Sequence, residues 1–131
     1  MWTYEQISGN MKDALGTLRG IGYSGAPPFG KNNPSLQNVK DVGPIPCGTY
    51  QLTEPFDSTD HGPYVMGLLP ASENEMFGRS GFLLHGDSME HPGQASKGCI
   101  VMPKVIRESI WQSGDHALQV VSGLEPTLEA T

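Results

Sequence analysis

His85 and Cys99 stand fourteen positions apart in a 131-residue chain that carries four histidines and two cysteines. An isolated thiol, with a pKa of about 8.5, is mostly protonated at neutral pH, whereas an adjacent imidazole can take its proton and leave a thiolate able to attack a carbonyl. His85 lies in the apolar run "GFLLHG" and Cys99 opens "CIVM". Both runs read as short strands, and two strands joined by a loop of that size can lie side by side. Such a pairing brings base to nucleophile, the minimal arrangement for acyl transfer. Gly98, just before the thiol, permits a tight turn, and its N–H with that of Cys99 can face a developing oxyanion. Gly86 gives similar freedom after His85, so that a main-chain carbonyl can hold the other ring nitrogen and fix the tautomer, with Asp87 as the competing orienting group.

The same residue types allow other readings. His61, His85, His91 and Cys99 are zinc-ligand types, but no C-x-x-C or H-x-x-x-H spacing accompanies them. His91, in "MEHPGQ", reads as a solvated loop residue and His116 as a turn residue. A buried, inert Cys99 in a non-catalytic β binding module is the alternative from another class, and slow thiol labelling would mark it. A cysteine peptidase of another architecture usually places its nucleophile before the histidine and at a helix start, an order opposite to this one.

The elements that must position this pair follow from the rest of the chain. Seventeen glycines and eleven prolines indicate many short strands and tight turns, and the length fits one domain over residues 1–131 with a core at about 2–121 and a tail at 122–131. "MWTYEQISGNMKDALGTLRGIGYSG" reads as a β-meander broken at Ser8-Gly9-Asn10, Gly16, Gly20 and Gly22. The segment from Ala26 to Cys47 is a long ordered loop or lid, with the next strand at Gly48–Leu52. "YVMGLLP", "GFLLHG", "CIVM" and "HALQVVSG" are further strands, the third following the Ser96-Lys97-Gly98 turn. Pro103 opens the only helix, near 103–113, with Ile106 and Ile110 on one face and Gly114 as the stop. "LEPTLEAT" reads as a frayed tail.

The net charge of −6 and a pI near 5.0, with basic residues scattered singly, exclude a phosphate-neutralising stripe, so neither nucleic acid nor an anionic membrane surface is an expected partner. The opening "MWTYEQISGN" has neither a charged leader nor an apolar signal core, and no run suits membrane insertion, so synthesis in the cytoplasm without a signal peptide is expected. Two cysteines are too few for a disulfide framework.

"FLLHGDS" followed by "SKGCIV" resembles the signature of L,D-transpeptidase catalytic domains. "GYSG", "GKNNP", "VGPIPCGTY", "GRSGFLLHGDS" and "SKGCIVM" run in the order found in the short antibacterial L,D-transpeptidase effectors of type VI secretion, and the likeness spans roughly residues 2–121. It implies a mainly β fold, an L,D-transpeptidase-like sandwich or barrel with one short helix. It also implies Cys99 as nucleophile, His85 as base, Gly86 as the orienting carbonyl, Gly98 and Cys99 as oxyanion donors, and no metal or cofactor. Arg79, Ser88, Ser96, Lys97 and Tyr23 become candidate contacts to a peptidoglycan tetrapeptide stem, whose carboxylates suit an arginine fork. Lys97 departs from the histidine that larger relatives carry before Gly-Cys, and it cannot act as a second base. The "PPFGKNNP" loop is expected to shape the stem cleft. The resemblance further implies activity in the periplasm of a target bacterium, delivery by a secretion apparatus and a cognate immunity protein.

Overall fold

A computed structural model describes residues 1–123, so the expected frayed tail at "LEPTLEAT" lies outside the described residues. β1 (Trp2–Glu5), β2 (Asn10–Lys12) and β3 (Leu18–Ile21) form the expected antiparallel meander. Along β1 the burial alternates, with Trp2 and Tyr4 in the core and Thr3 and Glu5 facing outward, as the two-residue period of a strand requires. The chain then adds β4 (Tyr23–Ser24), β5 (Gly48–Leu52), β6 (Phe56–Ser58), β7 (Gly62–Pro70), β8 (Leu83–His85), β9 (Ile100–Val101) and β10 (Ala117–Val121). A single α-helix among the described residues, α1 (Lys104–Gln112), separates the last two strands.

The strands join in the order β3-β2-β1-β10-β5-β7-β8-β9-β4, with β6 paired to β7 off this path. The β1/β10 and β8/β9 pairs are parallel and the others antiparallel. The architecture is therefore mainly β, as expected, but the mixed sheet does not close, which excludes a closed barrel. Its core gathers side chains from both halves of the chain, among them Trp2, Tyr50, Met66, Leu84, Ile100 and Leu118. Helix α1 begins after Pro103, within the expected span, and buries Ile110 and Arg107. Among the described residues no helix is long and apolar enough to cross a membrane.

One strand escaped the sequence reading. β6 shows no apolar alternation, because Phe56 and Asp57 are both exposed. It is held instead by its hairpin with β7, where the Ser58 hydroxyl accepts the N–H groups of Asp60 and His61. The turn so formed carries His61.

The long segment between β4 and β5 is ordered. It contains a 3-10 turn at Pro34–Leu36 capped by the Asn33 side chain, and Ala26 N–H donates to the Val42 carbonyl at 2.8 Å, closing the loop on itself.

Candidate active site

β8 and β9 lie in parallel register, with Leu84 opposite Ile100 and His85 opposite Val101. Leu84 and Ile100 point into the core, and Cys99 lies in the bend just before β9, with its Sγ at the Leu83 N–H. The pairing thereby brings Cys99 alongside the start of β8, the strand that ends in His85.

Their side chains do not meet. Cys99 Sγ accepts the N–H of Leu83 at 3.3 Å and sits in a cavity of about 170 Å³ lined by Lys40, Asp41, Arg79, Phe82, Lys97 and Gly98. His85 lines a separate cleft of about 910 Å³ shared with Tyr23, His61, Asp87, Ser88 and Arg107. The imidazole is 1% exposed, with Nδ1 2.7 Å from the Gly86 carbonyl. A carbonyl only accepts, so this bond places the proton on Nδ1 and leaves Nε2 as a lone pair, buried and without a partner. Burial holds the His85 pKa below its ordinary value; His61 and Arg107 push it the same way, while the Gly86 carbonyl and Asp87 oppose them. The ring is therefore neutral at pH 7, in the tautomer a general base needs.

Burial likewise pushes the Cys99 thiol above its ordinary value, against the Leu83 N–H and the Arg79 charge, which pull it down. The resting thiol is protonated. In a Cys47→Ala background, Cys99 is expected to react with a maleimide at least ten times more slowly than unfolded protein at pH 7, and faster as pH rises. Labelling as fast as in the unfolded chain would show that the thiol is not held on Leu83.

Arg79, expected as a contact to a substrate carboxylate, is held by the protein's own backbone. It is 6% exposed, and its two terminal nitrogens donate to four carbonyls: Gln37 at 2.6 Å, Pro44 at 2.8 Å, Gly43 at 3.0 Å and Lys97 at 3.2 Å. These bonds fasten the end of the long loop to the turn that presents Cys99. Gly98 makes the approach possible, since at φ 146° a Cβ there would lie 2.6 Å from an Arg79 nitrogen and 2.9 Å from the Phe82 ring.

Ser96 is also a strut, not an open substrate contact. Its buried hydroxyl accepts the N–H groups of Gly25 and Gly98, both at 3.0 Å, and donates to the Cys99 carbonyl at 2.6 Å. The Gly98 N–H is thus already occupied and is not a free oxyanion donor, which corrects the expectation from the sequence. Ser24 completes the brace by donating to the Gly98 carbonyl and accepting the Ile45 N–H. Lys97 is exposed at the thiol cavity, tied through its backbone carbonyl to Arg79.

Tyr23 and Ser88 line the larger cleft. The Tyr23 hydroxyl donates to Asp87 at 2.6 Å and accepts the Ala95 N–H at 2.8 Å, bracing the loop between His85 and Cys99. Burial, reinforced by the Asp87 carboxylate, raises its pKa to about 12. Lys31 caps this ring at 4.1 Å and donates to the Gly93 carbonyl, but residues 27–34 do not line the cleft, contrary to expectation. Ser88 is half-buried and its hydroxyl accepts the His91 N–H. The Asp87 carboxylate takes up Tyr23, Ser88 N–H and Gly93 N–H, so Gly86 and not Asp87 orients His85. His61 stacks on His85, and no group of three or more metal-ligating side chains assembles among the described residues. Arg107, buried on α1, donates to the carbonyls of Pro63, Tyr64 and Met102 beside the His85 cleft. A basic residue at helical spacing among apolar neighbours was the only signal for it.

Fold and site together define a small, mainly β domain with a buried histidine at the end of one strand and a cysteine just before the parallel strand beside it. A family model described as the Tlde1 domain matches residues 19–123, and the chain belongs to that family, by its name one of type VI secretion L,D-transpeptidase effectors. The match starts within β3, so β1 and β2 precede it, whereas the resemblance read from the sequence began near residue 2. Neither the curated proteins nor the solved structures gave a match.

Proposed function

We propose that this domain is a cysteine L,D-carboxypeptidase and L,D-transpeptidase acting on peptidoglycan tetrapeptide stems. The observation that carries the reading is the parallel pairing of β8 with β9, which brings the strand ending in a buried, neutral His85, its Nε2 without a partner, beside the segment that leads into β9 with Cys99. Family membership supplies the substrate class. Attack requires Sγ to leave the Leu83 N–H and reach Nε2.

Cys99 then gives its proton to Nε2, and the thiolate attacks the carbonyl of the third stem residue. The tetrahedral adduct collapses to a thioester as the bond to the terminal D-alanine breaks, and the imidazolium returns the proton to the departing amine. Water as acceptor releases a tripeptide stem, a D-amino acid gives exchange, and an amine of a second stem gives a cross-link. Two half-reactions through one acyl-enzyme make the kinetics ping-pong. The site of action is the periplasm of a target bacterium, reached through a type VI apparatus, with an immunity protein guarding the producer.

The held thiol favours a second reading, a peptidoglycan- or protein-binding module with a structural Cys99. Mass spectrometry of disaccharide-tetrapeptide incubated with wild type and with Cys99→Ala, with and without a D-amino acid, separates the two. Loss or exchange of the terminal alanine by wild type alone supports the enzyme, and an intact stem under reducing conditions supports the module.

A further inference from the structure

The β6–β7 turn brings a second imidazole to the site. The His61 ring lies on the His85 ring with centroids 4.3 Å apart and planes inclined by 25°. Its place is fixed from two sides. The Ser58 hydroxyl accepts the His61 N–H at 3.1 Å, and Arg107 reaches from α1 to the carbonyls of Pro63 and Tyr64 at 2.9 Å, fastening the chain just beyond the turn. The half-buried ring of His61 thus covers one face of the fully buried ring of His85.

We infer that His61 is a positioning residue for the base: its stack holds the His85 ring on the Gly86 carbonyl with Nε2 free. The inference rests on the acyl-transfer reading above. Two imidazolium rings at this separation repel, and the interior solvates the second charge poorly. A charge on His85 is disfavoured by its burial and by the His61 ring beside it, so His85 retains its lone pair. The other charged or titratable groups lining the cleft are Tyr23, Asp60, Asp87, His91, Lys104 and Arg107. Asp87 favours a charged His85 and Arg107 disfavours it, and both are anchored by their own hydrogen bonds. Nothing in the residue pattern around "STDHGPY" signals this role, since it depends on a hairpin folding back over β8.

The test is an NMR titration of the imidazole nitrogens in wild type, His61→Phe and His61→Ala, run beside the pH profile of stem turnover. Phenylalanine keeps a flat ring over His85 but cannot carry a proton. His61→Phe is expected to retain the Nδ1–H tautomer, while the His85 titration and the acid limb of kcat/KM move up. His61→Ala is expected to show the same upward shift, a mixed tautomer and a kcat lowered about tenfold. An unchanged His85 titration in His61→Phe overturns the inference whatever the turnover. If wild type leaves stems intact while the titration shifts as expected, the inference about the ring pair holds and the transpeptidase reading falls.

Discussion

Replacing Arg79 with methionine is expected to destabilise the fold by about 3–5 kcal/mol, which for a domain of this size lowers the thermal midpoint by roughly 10–20 °C. Methionine fills much of the same volume but donates nothing, so the carbonyls of Gln37, Gly43, Pro44 and Lys97 lose their partner together, those of Gly43 and Pro44 in buried bonds. Against a total stability of about 5–15 kcal/mol, typical of such domains, the loss is large. Lysine keeps the charge and three donors but not the fork, so Arg79→Lys should recover only part of it. Gly98→Ala should approach the methionine variant, because its methyl group displaces the guanidinium from the Lys97 turn. A midpoint within a few degrees of wild type for Arg79→Met would show that the clamp is not what joins the long loop to the thiol.

His85→Ala is the complementary case, with a large effect on turnover and a small one on stability. Loss of a positioned general base is expected to lower the rate of stem cleavage by about 10²–10⁴-fold. Stability should change by no more than about 1–2 kcal/mol, because the hydrogen bond lost is a single one to Gly86 and Nε2 has no partner to strand. The pH dependence follows from the same burial. The folded pKa of His85 lies below its unfolded value, so the unfolded chain takes the proton more readily. Stability is therefore full above the ordinary imidazole pKa and is lost as pH falls from there toward the folded value. Turnover falls as pH drops through the lowered pKa itself. Removing His85 should flatten its share of the stability slope, readable as a smaller difference in thermal midpoint between pH 7 and pH 5. A variant that cleaves stems at the wild-type rate would remove His85 from the mechanism.

The sequence carried the local features well. Gly48–Leu52 emerged as a strand because a Pro- and Gly-rich stretch ends there, and α1 because Pro103 and Gly114 bracket a helical spacing of isoleucines. The strands around His85 and Cys99 were legible as apolar runs, and their pairing followed from the length of the connecting loop. What escaped was long-range and polar. Arg79 reads as a surface charge until its carbonyl partners, 18 to 42 positions away, are known. Ser96 reads as a turn residue until its hydroxyl is seen to take the Gly98 N–H, and β6 has no periodicity because both faces of its first residues are wet. Residue type indicates what a side chain can bond, and only the folded chain decides whether water, substrate or its own backbone is the partner. For that reason Cys99 and His85 were nameable in advance as a candidate pair from residue type and spacing, whereas three of the residues assigned to the substrate, Arg79, Ser96 and Tyr23, engage the protein itself.

The central claim is that a stem acylates Cys99. Intact-protein mass spectrometry after rapid acid quench, in the Cys47→Ala background with disaccharide-tetrapeptide and no added amine, tests it most directly. The account predicts an adduct of the stem lacking its terminal alanine, located on Cys99, released by hydroxylamine and absent in Cys99→Ala. Alanine released with no adduct in wild type and undiminished in Cys99→Ala would contradict it.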